Sequence, residues 1–253
     1  MELDRHGASL RLARDDPPTD TKGTPMYSLI LLNGGIGSRT GADSPKQLLK
    51  LRGIPILVYT LVTADRVEQI SQIVLNYPPQ WREDVESILK AYAISTPVTL
   101  VEAGSSRHSS VAAMIPHCTN DDVIIHETAR PLVRTDDFQR LIDSEHRNVS
   151  LMSEISFTVA PVDPETSAVT GSLDRSRLRN VQLPQKFAKT DLQDAHARAA
   201  EQGTEFTEDA TLVADFGHPV HFIEGNDENL KVTTKTDLKM AGFLLRPEED
   251  DDE

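Results

Sequence analysis

The sequence of 253 residues contains little cysteine, few aromatic residues and no long apolar run. Cys118 is the only cysteine, so no disulfide can form within the chain, and a reducing, cytoplasmic setting is expected. We find neither an apolar span of membrane length nor the apolar core of a signal peptide. The net charge of −14 argues against broad binding to nucleic acid or anionic membranes, although a local cationic pocket can lie inside an acidic protein.

Charge and proline divide the chain into one central domain and two ends. Residues 1–25 carry many charges and several prolines, and residues 246–253 are almost wholly acidic, so we expect both ends to be disordered. Between them, over residues 26–245, short apolar runs alternate with helix-like segments. This alternation predicts an α/β sandwich around a mostly parallel sheet.

A glycine-rich turn directly follows the first apolar, strand-like run at residues 28–32. The glycines are Gly34, Gly35 and Gly37. A turn of this kind exposes backbone N–H groups, and such groups bind phosphate oxygens. Arg39 and Lys46 follow within a few residues, so we predict a polyphosphate site and a nucleotide-handling enzyme. Solvated surface cations are the ordinary alternative for these two residues.

Two better-known phosphate motifs fit this loop poorly. A Walker A loop requires Lys after its last glycine, but here Gly41 is followed by Ala42. A dinucleotide-binding fingerprint requires two residues before the last glycine, whereas three residues lie between Gly37 and Gly41. The next strand-like run also comes too late in the sequence for a compact βαβ unit. An enzyme dependent on a nicotinamide cofactor stays open as an alternative.

A second candidate site follows the apolar run at residues 123–125. This run leads to His126, Glu127 and Arg130, and the carboxyl ends of strands in open α/β sheets usually bind ligands. The pattern resembles half of the zinc motif His-Glu-x-x-His, but Arg130 occupies the second histidine position and a cation cannot ligate zinc. We therefore predict no metal held by protein side chains.

Two further segments combine structural and functional signals. Residues 103–111, AGSSRHSSV, bring Arg107 to the start of a helix that Ser109 is expected to cap. The segment of about residues 159–185 alternates in polarity around a turn at Gly171, which predicts a projecting two-stranded arm. Helix capping and solvated surface charge are the ordinary alternatives for these two segments.

The C-terminal part of the domain carries another lysine beside a predicted helix. We expect Lys231 to begin a short strand and either Thr236 or Asp237 to cap the final helix. Taken alone, Lys231 would be an ordinary surface lysine. His218 and His221 lie in a strand-like run, where a structural role is a better interpretation than metal binding.

In this order, the motifs resemble those of the cytidylyltransferases that join CTP to a polyol phosphate. They are GGIGSRTG with SPKQ, RHSSV, HETARP, DRSRL with LPQKF, FTEDATLV, and NLKVTTKTDL. The resemblance covers residues 26–245, and the family includes enzymes for 2-C-methyl-D-erythritol 4-phosphate and D-ribitol 5-phosphate. The glycine loop, PPQW at residues 78–81 and the KVTT ending are more similar to the ribitol phosphate branch. The methylerythritol phosphate enzyme of isoprenoid biosynthesis, or a non-catalytic nucleotide-binding homologue, is the alternative.

The resemblance implies a three-layer Rossmann-like nucleotidyltransferase fold, a homodimer joined through the arm, and Mg²⁺ bound mainly through the CTP phosphates. It implies three catalytic cations: Arg39, Lys46 and Lys231. It implies a set of CTP-binding residues: Gly34, Gly35, Gly37, Arg107 and Ser110. It also implies a set of acceptor-binding residues: Glu127, Arg130, Thr166, Thr233, and Arg175 contributed by a second subunit.

Departures from the family pattern are concentrated on the acceptor side. Glu127 stands where the family has aspartate, Thr166 matches only after a shift of one residue, and Leu183 replaces the threonine of a Thr-Pro-Gln sequence. An extra methylene moves the Glu127 carboxylate by about a bond length, and catalysis is sensitive to shifts of that size. The sequence therefore predicts an altered choice of acceptor.

Overall fold

The computed structural model describes residues 24–35 and 48–245. Gly37, Arg39 and Lys46 lie outside the described residues, as do residues 1–23 of the predicted N-terminal extension and the whole predicted acidic tail. Within the described ranges, no helix combines the length and apolar content needed to cross a membrane.

Strands and helices alternate along most of the described chain. The strands are β1 (Tyr27–Leu32), β2 (Lys50–Leu51), β3 (Ile54–Pro55), β4 (Ile70–Tyr77), β5 (Val98–Glu102), β6 (Asp122–Glu127), β7 (Val149–Glu154), β8 (Val162–Asp163), β9 (Ala168–Val169), β10 (Arg179–Ala188) and β11 (His221–Glu224). The helices are α1 (Ile56–Asp65), α2 (Arg82–Ala91), α3 (Arg107–Met114), α4 (Thr135–Ile142), α5 (Lys189–Gln202), α6 (Asp209–Asp215) and α7 (Lys235–Leu244).

Seven of these strands form the central sheet, in the order β11-β7-β10-β6-β1-β4-β5. β1 is parallel to β4 and β6, β4 to β5, and β11 to β7, whereas β10 is antiparallel to both of its neighbours. The predicted mostly parallel sheet is confirmed. The carboxyl ends of β1, β4, β5 and β6 consequently lie along one edge.

Apolar side chains of β1 supply both faces of the core, because successive side chains of a strand point to opposite sides. Ile30 and Leu32 pack with α3, α5 and α6, while Leu29 and Leu31 pack with α1, α2 and α4. Helices therefore cover both faces of the sheet, which gives the three layers expected from the sequence.

The predicted arm is shorter than the sequence suggested. β8 and β9 form an antiparallel ribbon whose turn lies at residues 164–167, so the turn predicted at Gly171 is wrong. Residues 179–185, assigned to the arm from sequence, belong to the central sheet, because β10 pairs with both β6 and β7. We call residues 155–178 the ribbon segment.

Three local expectations near the helix starts also need correction. Ser106 caps α3 and Thr234 caps α7, each through a capping box whose third helical residue is Ser109 or Asp237. The predicted caps Ser109, Thr236 and Asp237 are therefore displaced by two or three residues. Lys231 lies in an extended loop and not in a strand.

Candidate active site

The start of the glycine loop is fixed by buried polar side chains from neighbouring strands. The backbone N–H of Asn33 donates to Asn76 Oδ1 on β4, and Thr128 Oγ1 donates to Asn33 Oδ1 at 2.9 Å. A Cβ on Gly34 would lie 2.7 Å from Ala103 Cβ and 2.8 Å from Asn76 Nδ2, so no side chain fits there. Gly35 follows as the last described residue of the loop and is exposed. The peptide groups that begin the predicted phosphate loop are thus held in one position.

Glu127, the last residue of β6, lies between two cations. Its Oε1 accepts from Arg130 Nε at 2.9 Å, and its Oε2 lies 2.7 Å from Lys231 Nζ. Burial by itself would raise the pKa of the Glu127 carboxyl, but the charges of Lys231 and Arg130 outweigh that effect and lower the pKa. Glu127 is therefore an ionised carboxylate that orients both cations.

The loop that carries Lys231 is tied to the residues after β6 by its backbone. The N–H of Val232 donates to the carbonyl of Ala129 at 2.7 Å, and Arg130 Nη1 donates to the carbonyl of Asn229 at 2.7 Å. Within residues 24–35 and 48–245, Arg130 Nη2 has no hydrogen-bond partner. Arg130 can therefore offer a fixed N–H group to an anion in the site.

A second charged cluster surrounds Arg107 at the start of α3. Arg107 Nη2 donates to Glu208 Oε1 at 3.2 Å, and Nη1 lies 2.7 Å from Asp209 Oδ2. His196 Nε2 contacts the other Asp209 oxygen at 3.1 Å. Burial would raise the pKa of the Asp209 carboxyl, but Arg107 and His196 together lower it. The guanidinium of Arg107 is thereby held by two carboxylates at the start of α6.

Ser110 stabilises the loop before α3. Its Oγ accepts from the N–H of Gly104 at 3.0 Å, and Ser110 is itself buried. A Cβ on Gly104 would overlap Ser109 Oγ and lie 2.9 Å from the N atom of Ser110. Ser110 therefore shapes the loop beside Arg107, where the resemblance implies nucleotide binding.

The remaining predicted acceptor residues are divided between two places. Thr233 Oγ1 donates to Asp237 Oδ2 at 2.6 Å, two residues beyond Lys231. Thr166 and Arg175 belong to the ribbon segment, where Thr166 Oγ1 donates to Asp163 at 2.7 Å and Arg175 Nη1 to the Ser156 carbonyl at 3.3 Å. The structure thus brings Glu127, Arg130 and Lys231 together, with Thr233 two residues further along the same loop but bonded to Asp237, while Thr166 and Arg175 bond within the ribbon segment of their own chain.

Sequence reasoning missed Asn33, Asn76 and Thr128, which support the glycine loop. It also gave no role to Glu208, Asp209 or Asn229. The available signal was a polar residue near the end of a largely apolar strand, since Asn76 is the next-to-last residue of the buried run of β4. Such residues are buried with a hydrogen-bond partner far away in sequence, so the partner is not visible before folding.

Comparisons with known proteins identify the family of this chain. Residues 27–247 match the model of the family IspD, 2-C-methyl-D-erythritol 4-phosphate cytidylyltransferase. The enzyme of that name from Synechococcus sp. (strain JA-3-3Ab) is 36% identical over 86% of this chain and 96% of its own length. A ribitol-5-phosphate cytidylyltransferase from Lacticaseibacillus paracasei is 30% identical over 88% of this chain and 100% of its own.

Solved structures of the same family share the fold. The 2-C-methyl-D-erythritol 4-phosphate cytidylyltransferase of Thermus thermophilus is 26% identical with a TM-score of 0.69, covering 87% of this chain and 98% of its own. The 4-diphosphocytidyl-2C-methyl-D-erythritol synthase of Anaerococcus prevotii superposes with a TM-score of 0.77 at 22% identity, over 88% of this chain and 97% of its own. The chain therefore belongs to the IspD family of cytidylyltransferases, as the order of its motifs indicated.

Proposed function

We propose that this protein transfers CMP from CTP to a polyol phosphate and releases pyrophosphate. The observation that carries the proposal is the Glu127 cluster at the carboxyl end of β6, where two cations are held beside the start of the glycine loop. Family membership supports the same reaction class. The acceptor is either ribitol 5-phosphate, which the sequence motifs suggested, or 2-C-methyl-D-erythritol 4-phosphate. Relatives named for each occur, and the comparisons do not favour ribitol 5-phosphate over the other acceptor.

The triphosphate of CTP would be bound by the glycine loop and by cations. Gly34 and Gly35 would present backbone N–H groups, and Lys231 would approach from the C-terminal loop. By resemblance, Gly37, Arg39 and Lys46 would complete this set. Arg107 and Ser110 would lie at the cytosine end.

Mg²⁺ would be bound mainly through phosphate oxygens of CTP. Both oxygens of Glu127 already face protein cations, so this carboxylate is poorly suited to be a full metal ligand. Mg²⁺ typically keeps several water ligands and binds substrate phosphates with few protein groups. When bound, the ion would neutralise part of the triphosphate charge.

The acceptor would be bound through its phosphate by Arg130. A phosphate oxygen of the acceptor attacks the α-phosphorus of CTP in line, the new P–O bond forms, and the bond to the β-phosphate breaks. Because a phosphate monoester is already an anion near neutral pH, no strong general base is needed. The residues act through positioning and charge stabilisation.

We also propose that the protein works as a homodimer joined through the ribbon segment. Several large apolar side chains of this segment are exposed: Phe157, Val159, Val162, Val169 and Leu173. Monomeric proteins rarely leave so much apolar surface uncovered in one place. In the dimer, Arg175 and Thr166 would serve the acceptor site of the partner subunit.

The experiment is an assay of pyrophosphate release with Mg²⁺ and each of CTP, UTP and ATP. The acceptor panel contains ribitol 5-phosphate, 2-C-methyl-D-erythritol 4-phosphate, glycerol 3-phosphate and pentose phosphates. We expect CTP with one of the first two acceptors to give the highest kcat/KM. If no acceptor of the panel gives pyrophosphate release, while calorimetry still detects CTP binding, the proposed reaction is contradicted.

A further inference from the structure

A bulge in β10 lies between the two arginines of the candidate site. Val181 pairs with Met152 of β7, and the next pair is Gln185 with Ser150, so residues 182–184 stand opposite a single residue of β7. The register of the ladder breaks at this point, and the carbonyls of Gln182 and Leu183 accept from side chains instead. This bulge contains the leucine that departs from the family sequence.

On the acceptor side, the bulge is connected to Arg130 through Asn229. The buried side chain of Asn229 donates from Nδ2 to the Leu183 carbonyl at 2.6 Å. The backbone carbonyl of the same asparagine accepts from Arg130 Nη1 at 2.7 Å. Asn229 thereby fixes the loop carbonyl that orients the Arg130 guanidinium.

On the nucleotide side, the bulge is connected to Arg107 through Gln185. The fully buried Gln185 donates from Nε2 to the Gln182 carbonyl at 3.2 Å and to Glu208 Oε1 at 2.9 Å. The same Glu208 oxygen accepts from Arg107 Nη2 at 3.2 Å. Gln185 thereby holds the carboxylate that orients Arg107.

We propose that Gln185 and Asn229 are positioning residues for the transfer reaction, each acting on one arginine from the shared bulge in β10. The assignment of ligands to the two arginines rests on the function proposed above. Neither side chain needs to touch a substrate, since both are buried and act through Glu208 and the Asn229 carbonyl. Small displacements of such groups are costly, because transfer depends on the alignment of the reacting atoms.

The test separates the two ligands and compares each variant with a buried control. Asn229→Ala is matched by Asn148→Ala, since Asn148 is also buried and donates from Nδ2 to a backbone carbonyl, but at the amino end of β7. Gln185→Met is matched by Gln72→Met, whose buried amide lies near the amino end of β4. The measurements are the Kd for CTP by calorimetry and the KM for the acceptor at saturating CTP.

We expect Asn229→Ala to raise the acceptor KM about tenfold and Gln185→Met to raise the CTP Kd about tenfold, the effect of losing one good hydrogen bond. Asn229→Ala should leave the CTP Kd, and Gln185→Met the acceptor KM, within about twofold of the wild-type value. Both controls should leave both constants within about twofold while lowering the melting temperature. Equal changes in both constants, or changes matched by the controls, would overturn the proposal. If Gln185→Met does not fold, Glu208→Gln tests the same link to Arg107. If Asn229→Ala does not fold, Asn229→Asp takes its place.

A readout without ligand keeps this test independent of the proposed function. Selective ¹⁵N labelling of arginine side chains reports the Nε–H signals of Arg107 and Arg130, assigned with Arg107→Lys and Arg130→Lys. We expect Gln185→Met to shift the Arg107 signal and Asn229→Ala to shift the Arg130 signal. Unmoved signals overturn the positioning roles. Failure of the wild-type enzyme to release pyrophosphate overturns only the reaction.

Discussion

Lys231 is the described residue that carries most of the proposed charge stabilisation. Its side chain is 39% exposed, yet Glu127 holds the ammonium group at 2.7 Å. We expect Lys231→Ala to lower kcat/KM by roughly 10²–10³, because one lost electrostatic contact to a transition state commonly costs that much. The assay is steady-state pyrophosphate release.

The control for this variant is Lys235→Ala. Lys235 is exposed at the start of α7, four residues further along, and should retain wild-type kcat/KM. A Lys231→Ala enzyme with full turnover would remove Lys231 from the catalytic set. Arg39→Ala and Lys46→Ala test the two cations that the resemblance adds.

His126 makes the stability of the protein depend on pH. Its ring is fully buried beside Phe138, and burial lowers its pKa from 6.5 to about 3. The folded state keeps this ring neutral, while the unfolded state binds a proton below pH 6.5, so the free energy of unfolding falls as the pH is lowered from 6.5 toward 3. The contribution of one such proton approaches about 1.4 kcal/mol per pH unit.

Replacement of His126 should remove this contribution. We expect His126→Phe to reduce the pH dependence of the unfolding free energy between pH 5 and 6.5, as measured by urea denaturation. The part that remains includes His108, whose pKa is also lowered by burial. The pKa values of Glu127 and Asp209 are lowered in the folded state, so their contributions to stability are lost only at pH values below this window. His117→Gln, at an exposed position, is the control and should keep the wild-type slope.

At the residue scale, sequence reasoning was most successful where a charged side chain ends an apolar strand. Glu127 and Arg130 were predicted together from the end of β6, and the structure joins them directly. The links from Arg107 to Glu208 and from Arg130 to Asn229 were not predictable, because each joins residues about 100 positions apart. Only the packing of strands and loops decides such pairs.

At the scale of elements, the bulge in β10 depends on Gly225, which directly follows β11. A Cβ on Gly225 would overlap Gln182 Oε1, so the side chain of Gln182 fills the space that a larger residue would need. We expect Gly225→Ala to destabilise the protein by about 1–3 kcal/mol, because the overlap would displace Gln182, whose Nε2 donates to Ser153 Oγ and to the Asn226 carbonyl. The measurement is the free energy of unfolding in urea.

Gly171→Ala in the ribbon segment is the matched control. A Cβ at Gly171 would meet only Pro161 Cγ at 3.8 Å, an ordinary contact, so the change should stay within about 0.5 kcal/mol. Equal stability of the Gly225 and Gly171 variants would mean that the bulge relaxes without cost.

The layers of the fold were predictable from the alternation of apolar runs, but the end of the arm was not. Residues 179–185 alternate in polarity like a hairpin strand, and only pairing with β6 and β7 assigns them to the central sheet. The predicted helix caps were displaced for a related reason. Ser106 and Ser109 can both accept a hydrogen bond from a backbone N–H, and in the capping box Ser106 is the N-cap while Ser109 is the third helical residue. Local pattern identifies the kind of element, and tertiary pairing sets its limits.

At the scale of the whole molecule, the ribbon segment should hold two subunits together. Val169 on β9 is 68% exposed, and Val169→Lys would introduce charge into an apolar contact. We expect this variant to be monomeric in light scattering at assay concentrations. Met240→Lys on α7, where Met240 is 55% exposed, should remain dimeric as the control.

The sharing of sites between subunits can be tested by mixing two impaired variants, Lys231→Ala and Arg175→Ala. If Arg175 serves the partner's site, one site of each mixed dimer contains both wild-type residues, while the other lacks both. Random exchange makes half of the dimers mixed, so activity should recover to about a quarter of the wild-type value. If Arg175 serves its own subunit, every site in the mixture carries a defect and no activity returns. Recovery that disappears when Val169→Lys is added to both chains would assign the exchange to the ribbon segment.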